Sequence, residues 1–192
     1  MNEILNRRPI VVVLAGPNGA GKTSFYRAYL KLSGLRFVNA DVIALDLGID
    51  AYRAAKVADG LRRGLVEQRE SFIFETVFSD PVGEKLEFMK AAERAGYTVA
   101  LFFIGIAGPA VSDQRVAMRV AKGGHDVPVD KITERYPRIM QNLRRALGEL
   151  SNVRVYDNGD LRRPYRLVAT RSDGQETELN APTPEWLKAV LH

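Results

Sequence analysis

The chain has no cysteine, which excludes disulfide bridges and thiolate metal sites. Its 192 residues hold only two histidines, so a zinc centre is not expected either. No apolar run approaches the ~20 residues of a membrane span, and the opening Met1-Asn2-Glu3 has no signal-peptide character. These absences point to a cytoplasmic protein with no membrane partner. No internal repeat, low-complexity tract or interdomain linker interrupts the chain, and one domain over residues 1–192 is expected. The net charge of +5 raises the question of nucleic acid. The basic residues, however, fall as scattered pairs: Arg7-Arg8, Arg62-Arg63, Arg144-Arg145 and Arg162-Arg163. With no aromatic–basic stacking module and no basic tail, the charge reads mostly as solvated surface, with a share serving ligand phosphates.

What is present centres on one stretch. Val11-Val12-Val13-Leu14-Ala15 reads as a strand buried on both faces. Gly16-Pro17-Asn18-Gly19-Ala20-Gly21-Lys22-Thr23-Ser24 follows as a glycine-rich turn opening a helix, the complete G-x-x-x-x-G-K-T pattern in its strand–loop–helix setting. Backbone N–H groups of such a loop curl around phosphate oxygens, and the helix N-terminus adds partial positive charge. Lys22 is placed to reach the β- and γ-phosphates of ATP, and the Thr23 hydroxyl to ligate Mg²⁺. Leu32-Ser33-Gly34 echoes a transporter-ATPase signature, but so close behind Lys22 that no helical subdomain fits between them.

Further along, the first helix is predicted from Thr23 to about Leu32, stopped by Gly34. A short strand over Phe37–Asp41 should end on a carboxylate. A helix from Asp50 to about Arg69 should bury Ala54, Ala58, Leu61 and Leu65 on one face. Ser71–Thr76 reads as a third strand, Asp80-Pro81 as the start of a helix ending at Gly96, and Thr98–Ile104 as a fourth strand. A lid region is expected over about residues 109–150. It holds one helix carrying Arg115 and Arg119 up to Gly123-Gly124, and another bent at Pro137. Asn152–Asp157 makes a fifth strand. A small hairpin through Asp173-Gly174 and a last helix carrying Trp186 complete the C-terminal part, about residues 163–192. Alternating strands and helices predict an α/β, three-layer P-loop kinase-like fold around a five-stranded parallel sheet.

Ligands in such sheets gather at the carboxyl ends of the strands. That brings the phosphate loop, Asp41 and Glu75 to one edge. Asp41 is the first candidate for the base that takes the acceptor's hydroxyl proton. Glu75 would position Mg²⁺ through water or hold a substrate hydroxyl, and Thr76 would contact substrate beside it. Arg115 and Arg119 lie one helical turn apart and suit a lid closing on triphosphate. His125, in the loop after them, and Arg135 are further candidates for substrate contact.

These residues carry a resemblance. The phosphate loop, Val38-Asn39-Ala40-Asp41, Phe74-Glu75-Thr76, Arg115-Val116-Ala117-Met118-Arg119, Gly123-Gly124-His125-Asp126-Val127-Pro128 and Arg135-Tyr136-Pro137 resemble the zeta toxin family, in particular its short single-domain branch. The match runs from about residue 10 to 160. The resemblance implies an ATP-dependent kinase of UDP-N-acetylglucosamine and an antitoxin partner that holds it inactive. It implies Asp41 as base, Lys22 and Thr23 on ATP–Mg, Glu75-Thr76 lining the acceptor site, and Arg119 with Arg115 clamping phosphates. Two alternatives stand beside it: a P-loop kinase for another small acceptor, or a nucleotide-dependent binding module whose output is a conformational change.

Overall fold

A computed structural model describes residues 2–121, 123 and 126–191. The short helix α1 (Asn2–Leu5) precedes strand β1 (Ile10–Ala15), which runs into the phosphate loop and helix α2 (Lys22–Phe25). The remaining elements are β2 (Arg36–Val38), α3 (Ala40–Leu47), α4 (Ala51–Glu67), β3 (Phe72–Thr76), α5 (Glu84–Arg94), β4 (Thr98–Gly105), α6 (Pro109–Val120), α7 (Val129–Glu149), β5 (Val153–Asp157), β6 (Arg166–Arg171), β7 (Glu178–Leu179) and α8 (Glu185–Leu191). The strands form one sheet in the order β2-β3-β1-β4-β5-β6-β7. The first five are mutually parallel. Every residue of β1 is fully buried, and the pleat sends Val11, Val13 and Ala15 into one core and Ile10, Val12 and Leu14 into the other. This is the α/β class expected, with helices on both faces.

The sheet has seven strands rather than five, because the C-terminal hairpin is not a separate appendage. Strand β6 pairs antiparallel with β5, and β7 with β6. The free edge of β5 would otherwise present unpaired N–H and C=O groups, and the hairpin satisfies them.

Four local expectations are corrected. The helix after the phosphate loop widens to a π-helical turn over Tyr26–Leu30 and tightens to a 3₁₀ turn over Lys31–Ser33. Gly34, at φ 71°, does end it. The distortion accompanies dense aromatic packing: Phe25 is 1% exposed among Phe102, Tyr156 and Tyr165, and Tyr26 stacks on Phe37 at 3.9 Å. Second, β2 ends at Val38, and Asp41 sits in the first turn of α3 instead of at a strand tip. Asn39 is the reason. Its side-chain oxygen accepts the N–H groups of Asp41 and Val42 at 2.8 and 3.2 Å, starting a helix there. Third, Asp80-Pro81 does not open α5, which begins at Glu84 after Gly83 in the left-handed region (φ 78°). Fourth, the buried positions of α4 are Ala54, Ala58, Arg62 and Leu65, while Leu61 is 46% exposed. Arg62 is therefore no surface charge. It is 5% exposed, with its guanidinium 4.8 Å over the Phe74 ring and ion-paired to Asp59. Among the described residues no helix is long and apolar enough to cross a membrane.

Candidate active site

The parallel strands deliver the phosphate loop after β1, Asn39 after β2, Glu75 and Thr76 at the end of β3, and Asn158 after β5 to one edge of the sheet. The loop itself needs its glycines. Gly21, at φ 95°, lies so close to Asn158 and Tyr165 that a Cβ there would come within 2.7 Å of the Asn158 amide nitrogen. Those two side chains brace the loop from outside. The Tyr165 hydroxyl donates to the Gly21 carbonyl at 3.0 Å, and Asn158 Nδ2 donates to the Ala20 carbonyl at 2.8 Å.

Lys22 is 7% exposed and folds back over the loop, donating to the Gly16 and Pro17 carbonyls at 2.9 and 3.0 Å. Its ammonium lies 3.9 Å from the Glu75 carboxylate. Burial lowers its pKa; Glu75 and Asp41 act against that shift, and Arg119 adds to it. Lys22, Glu75, Asp41 and Arg119 therefore share one electrostatic neighbourhood, although α6 carries Arg119 far along the chain. The Thr23 hydroxyl donates to Glu75 at 3.2 Å, and Asn39 Nδ2 donates to the same carboxylate oxygen at 3.1 Å.

Asn39, Asp41, Glu75 and Thr76 line a cavity of about 170 Å³, closed from α4 and α5 by Arg62 and Lys85. Thr76 also has a structural duty, since its hydroxyl oxygen accepts the Phe78 N–H at 3.0 Å and turns the chain after β3. Arg135 lines a neighbouring cavity, outside the one at Asp41. Arg115 points elsewhere than expected for a phosphate clamp. It donates to the Asn158 carbonyl at 2.7 Å and, with Ser112 bonded to the Asn18 carbonyl at 2.5 Å, seats α6 on the phosphate loop. His125 lies outside the described residues. A larger cavity, about 650 Å³, opens at the opposite end of the strands among Arg8, Arg36 and Arg69, away from the phosphate loop.

Sequence reasoning missed Asn39, Arg62, Lys85, Asn158 and Tyr165 as site-forming residues. Only Asn39 carried a local signal, an Asn two residues ahead of an acid at a helix start. The others act across the fold.

A sheet with a parallel five-stranded core, a glycine-rich loop closing on a buried lysine, and carboxylates gathered where the second and third strands end or run into a helix define a P-loop domain of the phosphotransferase class. The family model described as Zeta toxin matches residues 51–167, more than half of the chain, and the chain belongs to the zeta toxin family. A Haemophilus influenzae protein described as uncharacterized is 28% identical over 130 residues, which cover 65% of this chain and 91% of that protein. Among solved structures, a chain of the AvrRxo1-ORF1:AvrRxo1-ORF2 complex with sulphate ions matches with a TM-score of 0.74 at 20% identity, over 98% of this chain and 66% of that one. The same complex with ATP matches at 0.72 and 20% identity, over 93% and 63%. A chain of the PezAT chromosomal toxin–antitoxin system of Streptococcus pneumoniae matches at 0.59 and 17% identity, over 97% and 84%. At these identities the likeness is one of fold. This chain spans 66% and 63% of the length of the matched AvrRxo1 complex chains.

Proposed function

We propose that this protein is an ATP-dependent kinase that transfers the γ-phosphate to a sugar hydroxyl of UDP-N-acetylglucosamine or a related nucleotide sugar, as the toxin of a toxin–antitoxin pair. One observation carries the reading: Asp41 and Glu75 line a single cavity directly beside Lys22 and Thr23. A nucleotide-binding loop alone needs no such acid-lined pocket next to it. Family membership supports the kinase chemistry, and the likeness to the AvrRxo1 complex with ATP and to the PezAT toxin–antitoxin system supports ATP and an antitoxin as partners. ATP as donor supports a cytoplasmic reaction.

In this reading Lys22 exchanges the Gly16 and Pro17 carbonyls for the β- and γ-phosphate oxygens, and the loop N–H groups hold the rest of the triphosphate. Thr23 and Glu75 present a hydroxyl and a carboxylate side by side, the hard oxygen donors that Mg²⁺ takes together with substrate phosphates. When bound, Mg²⁺ would neutralise charge on the β- and γ-phosphates. Asn39 keeps Glu75 aimed at that position through its amide. Asp41 accepts the proton of the acceptor hydroxyl as its oxygen bonds to the γ-phosphorus and the bond to the β-phosphate oxygen breaks, releasing ADP. Arg119 lies near enough to Lys22 to stabilise the charge that develops on the transferring group.

Incubation with ATP–Mg²⁺ and a set of UDP-sugars tests the proposal, read by mass spectrometry of the nucleotide pool. A phosphorylated UDP-N-acetylglucosamine is the expected product. Slow ATP hydrolysis with no phosphorylated acceptor would replace the kinase by a nucleotide-dependent switch.

A further inference from the structure

The cavity at Asp41 is small. At about 170 Å³ it falls below the ~300–1,000 Å³ of ordinary ligand pockets. An acceptor larger than a single ring must therefore extend out of it. A second cavity of about 340 Å³ adjoins it, sharing Thr76, Val77 and Lys85 as a common wall. The two form one groove with ends of opposite character. Asp41 and Glu75 stand at one end, while Lys85, Arg135 and Arg138 stand around Asp80 at the other.

The basic end is built and partly unspent. Asn142 donates to both the Phe78 and the Asp80 carbonyls at 3.0 Å, which fixes the segment after β3 against α7. Tyr136 pins α7 to the end of β4, donating to the Ile106 carbonyl at 2.8 Å and accepting the Gly108 N–H at 3.0 Å. Arg135 and Arg138 flank that anchor and lie three residues apart, on one face of the helix. Arg138 uses Nη2 on Glu134, a carboxylate that is 68% exposed, but its Nε is buried without a partner. Asp80 Oδ1 is likewise buried and unpaired. Arg135 has no hydrogen-bond or ion-pair partner among the described residues. Buried polar atoms are nearly always paired. An unpaired donor, an unpaired acceptor and an uncommitted guanidinium in one wall mark the place of a ligand. Lys85 adds positive charge to the same wall, although its ammonium already donates to Asp59 at 2.9 Å.

We infer that this end of the groove is an anion subsite, in which Arg135, Arg138 and Lys85 hold a phosphate or carboxylate of the acceptor while Asp80 Oδ1 accepts from a hydroxyl or N–H beside it. The inference rests on the proposed kinase reading in one respect, that the cavity at Asp41 takes the acceptor. It makes the enzyme selective for acceptors that carry a hydroxyl and, farther along, a negative group. Neutral sugars fill only half the groove.

The test is calorimetric titration of the wild-type protein saturated with Mg²⁺ and a non-hydrolysable ATP analogue, so that the phosphate loop is occupied. UDP, a six-carbon sugar acid and uridine are the probes. Arg135→Gln and Arg138→Gln are compared with Arg94→Gln, a charge-matched change on exposed α5 surface. At least one anionic probe should bind while uridine does not. Each α7 variant should weaken it about 10- to 100-fold, as loss of a charge-assisted hydrogen bond does. Arg94→Gln should bind as the wild type, and affinity for the ATP analogue should be the same in all four proteins. Equal binding of uridine and the anions, anion binding indifferent to both arginines, or no anion binding would overturn the subsite. Arginine-dependent binding of the sugar acid but not of UDP would uphold the subsite and remove the nucleotide sugar as acceptor.

Discussion

Asn39 holds the two acids of the site in one hand. Its amide nitrogen donates to Glu75 at 3.1 Å, and its carbonyl oxygen caps the helix that carries Asp41. The two duties can be separated. Asn39→Ala loses both and should destabilise the protein by about 0.5–2 kcal/mol, the usual cost of a lost N-cap. Asn39→Ser keeps a capping oxygen but is too short to span to Glu75. Its melting temperature should stay near that of the wild type while kcat falls. Thermal unfolding and steady-state kinetics on both variants decide this; full activity in Asn39→Ser would mean that Glu75 needs no such orientation.

Asp41→Asn should abolish acceptor phosphorylation with ATP affinity nearly intact. The substitution preserves shape, and Asn39 caps the backbone N–H rather than the side chain of residue 41, so α3 should persist. The amide cannot take a proton. The loss should appear in kcat far more than in nucleotide binding. Unchanged turnover would move the base to Glu75.

Lys22→Met should remain folded and lose at least 10²-fold in rate, by analogy with removal of a single transition-state donor. Its pH dependence is more telling. Burial lowers the pKa of Lys22 from the ordinary 10.5, so the folded wild type sheds this proton at a lower pH than the unfolded chain does. Between those two values the unfolded state binds more protons, and wild-type stability rises with pH. Below that window the full cost of burying the charge is present; above it the cost is gone. The stability of the wild type relative to Lys22→Met should therefore improve as pH climbs through the alkaline range toward 10.5. Denaturant titrations of both proteins across that range measure it, and parallel curves would show that the ammonium carries no burial penalty.

Tyr165→Phe removes the hydroxyl that donates to the Gly21 carbonyl and keeps the ring against Phe25. The expected cost in stability is about 0.5–1.5 kcal/mol, that of one ordinary hydrogen bond. ATP affinity should weaken severalfold as the loop loses a brace. Asn158→Ala, which frees the Ala20 carbonyl, should weaken it further. Nucleotide titration reads both, and wild-type ATP affinity in the two variants would show that the loop holds its shape unaided.

Much of the fold was legible because its signals are local. The β1 run, the phosphate-loop glycines, the Gly34 stop and the start of a helix at Asp50 each act within a turn or two of backbone, and each stands where the sequence places it. The errors were local signals in competition. Asp80-Pro81 has the chemistry of a helix start, but Asn142 claims the Asp80 carbonyl and the helix waits for Glu84. Leu61 fits the apolar stripe of α4 by type, yet Arg62 takes the inward position because Phe74 offers its ring face and Asp59 a carboxylate.

The sequence by itself determined that there is a phosphate-binding loop, that the core is a parallel sheet, and that acids follow its second and third strands. Those properties reside in hydrophobic period and in residues that fix their own backbone. Only the tertiary structure decided which side chains meet. Asn158 reaches Ala20 across 138 residues because β5 joins the parallel sheet beside β4 and ends at the loop, and Tyr165 reaches Gly21 across 144 because β6 adds to the free edge of β5. Likewise Arg135 and Arg138 join Lys85 in one groove because α7 is pinned at Tyr136 and Asn142. Contacts of that range depend on how strand edges and helix faces are satisfied, and no pattern within one element encodes them.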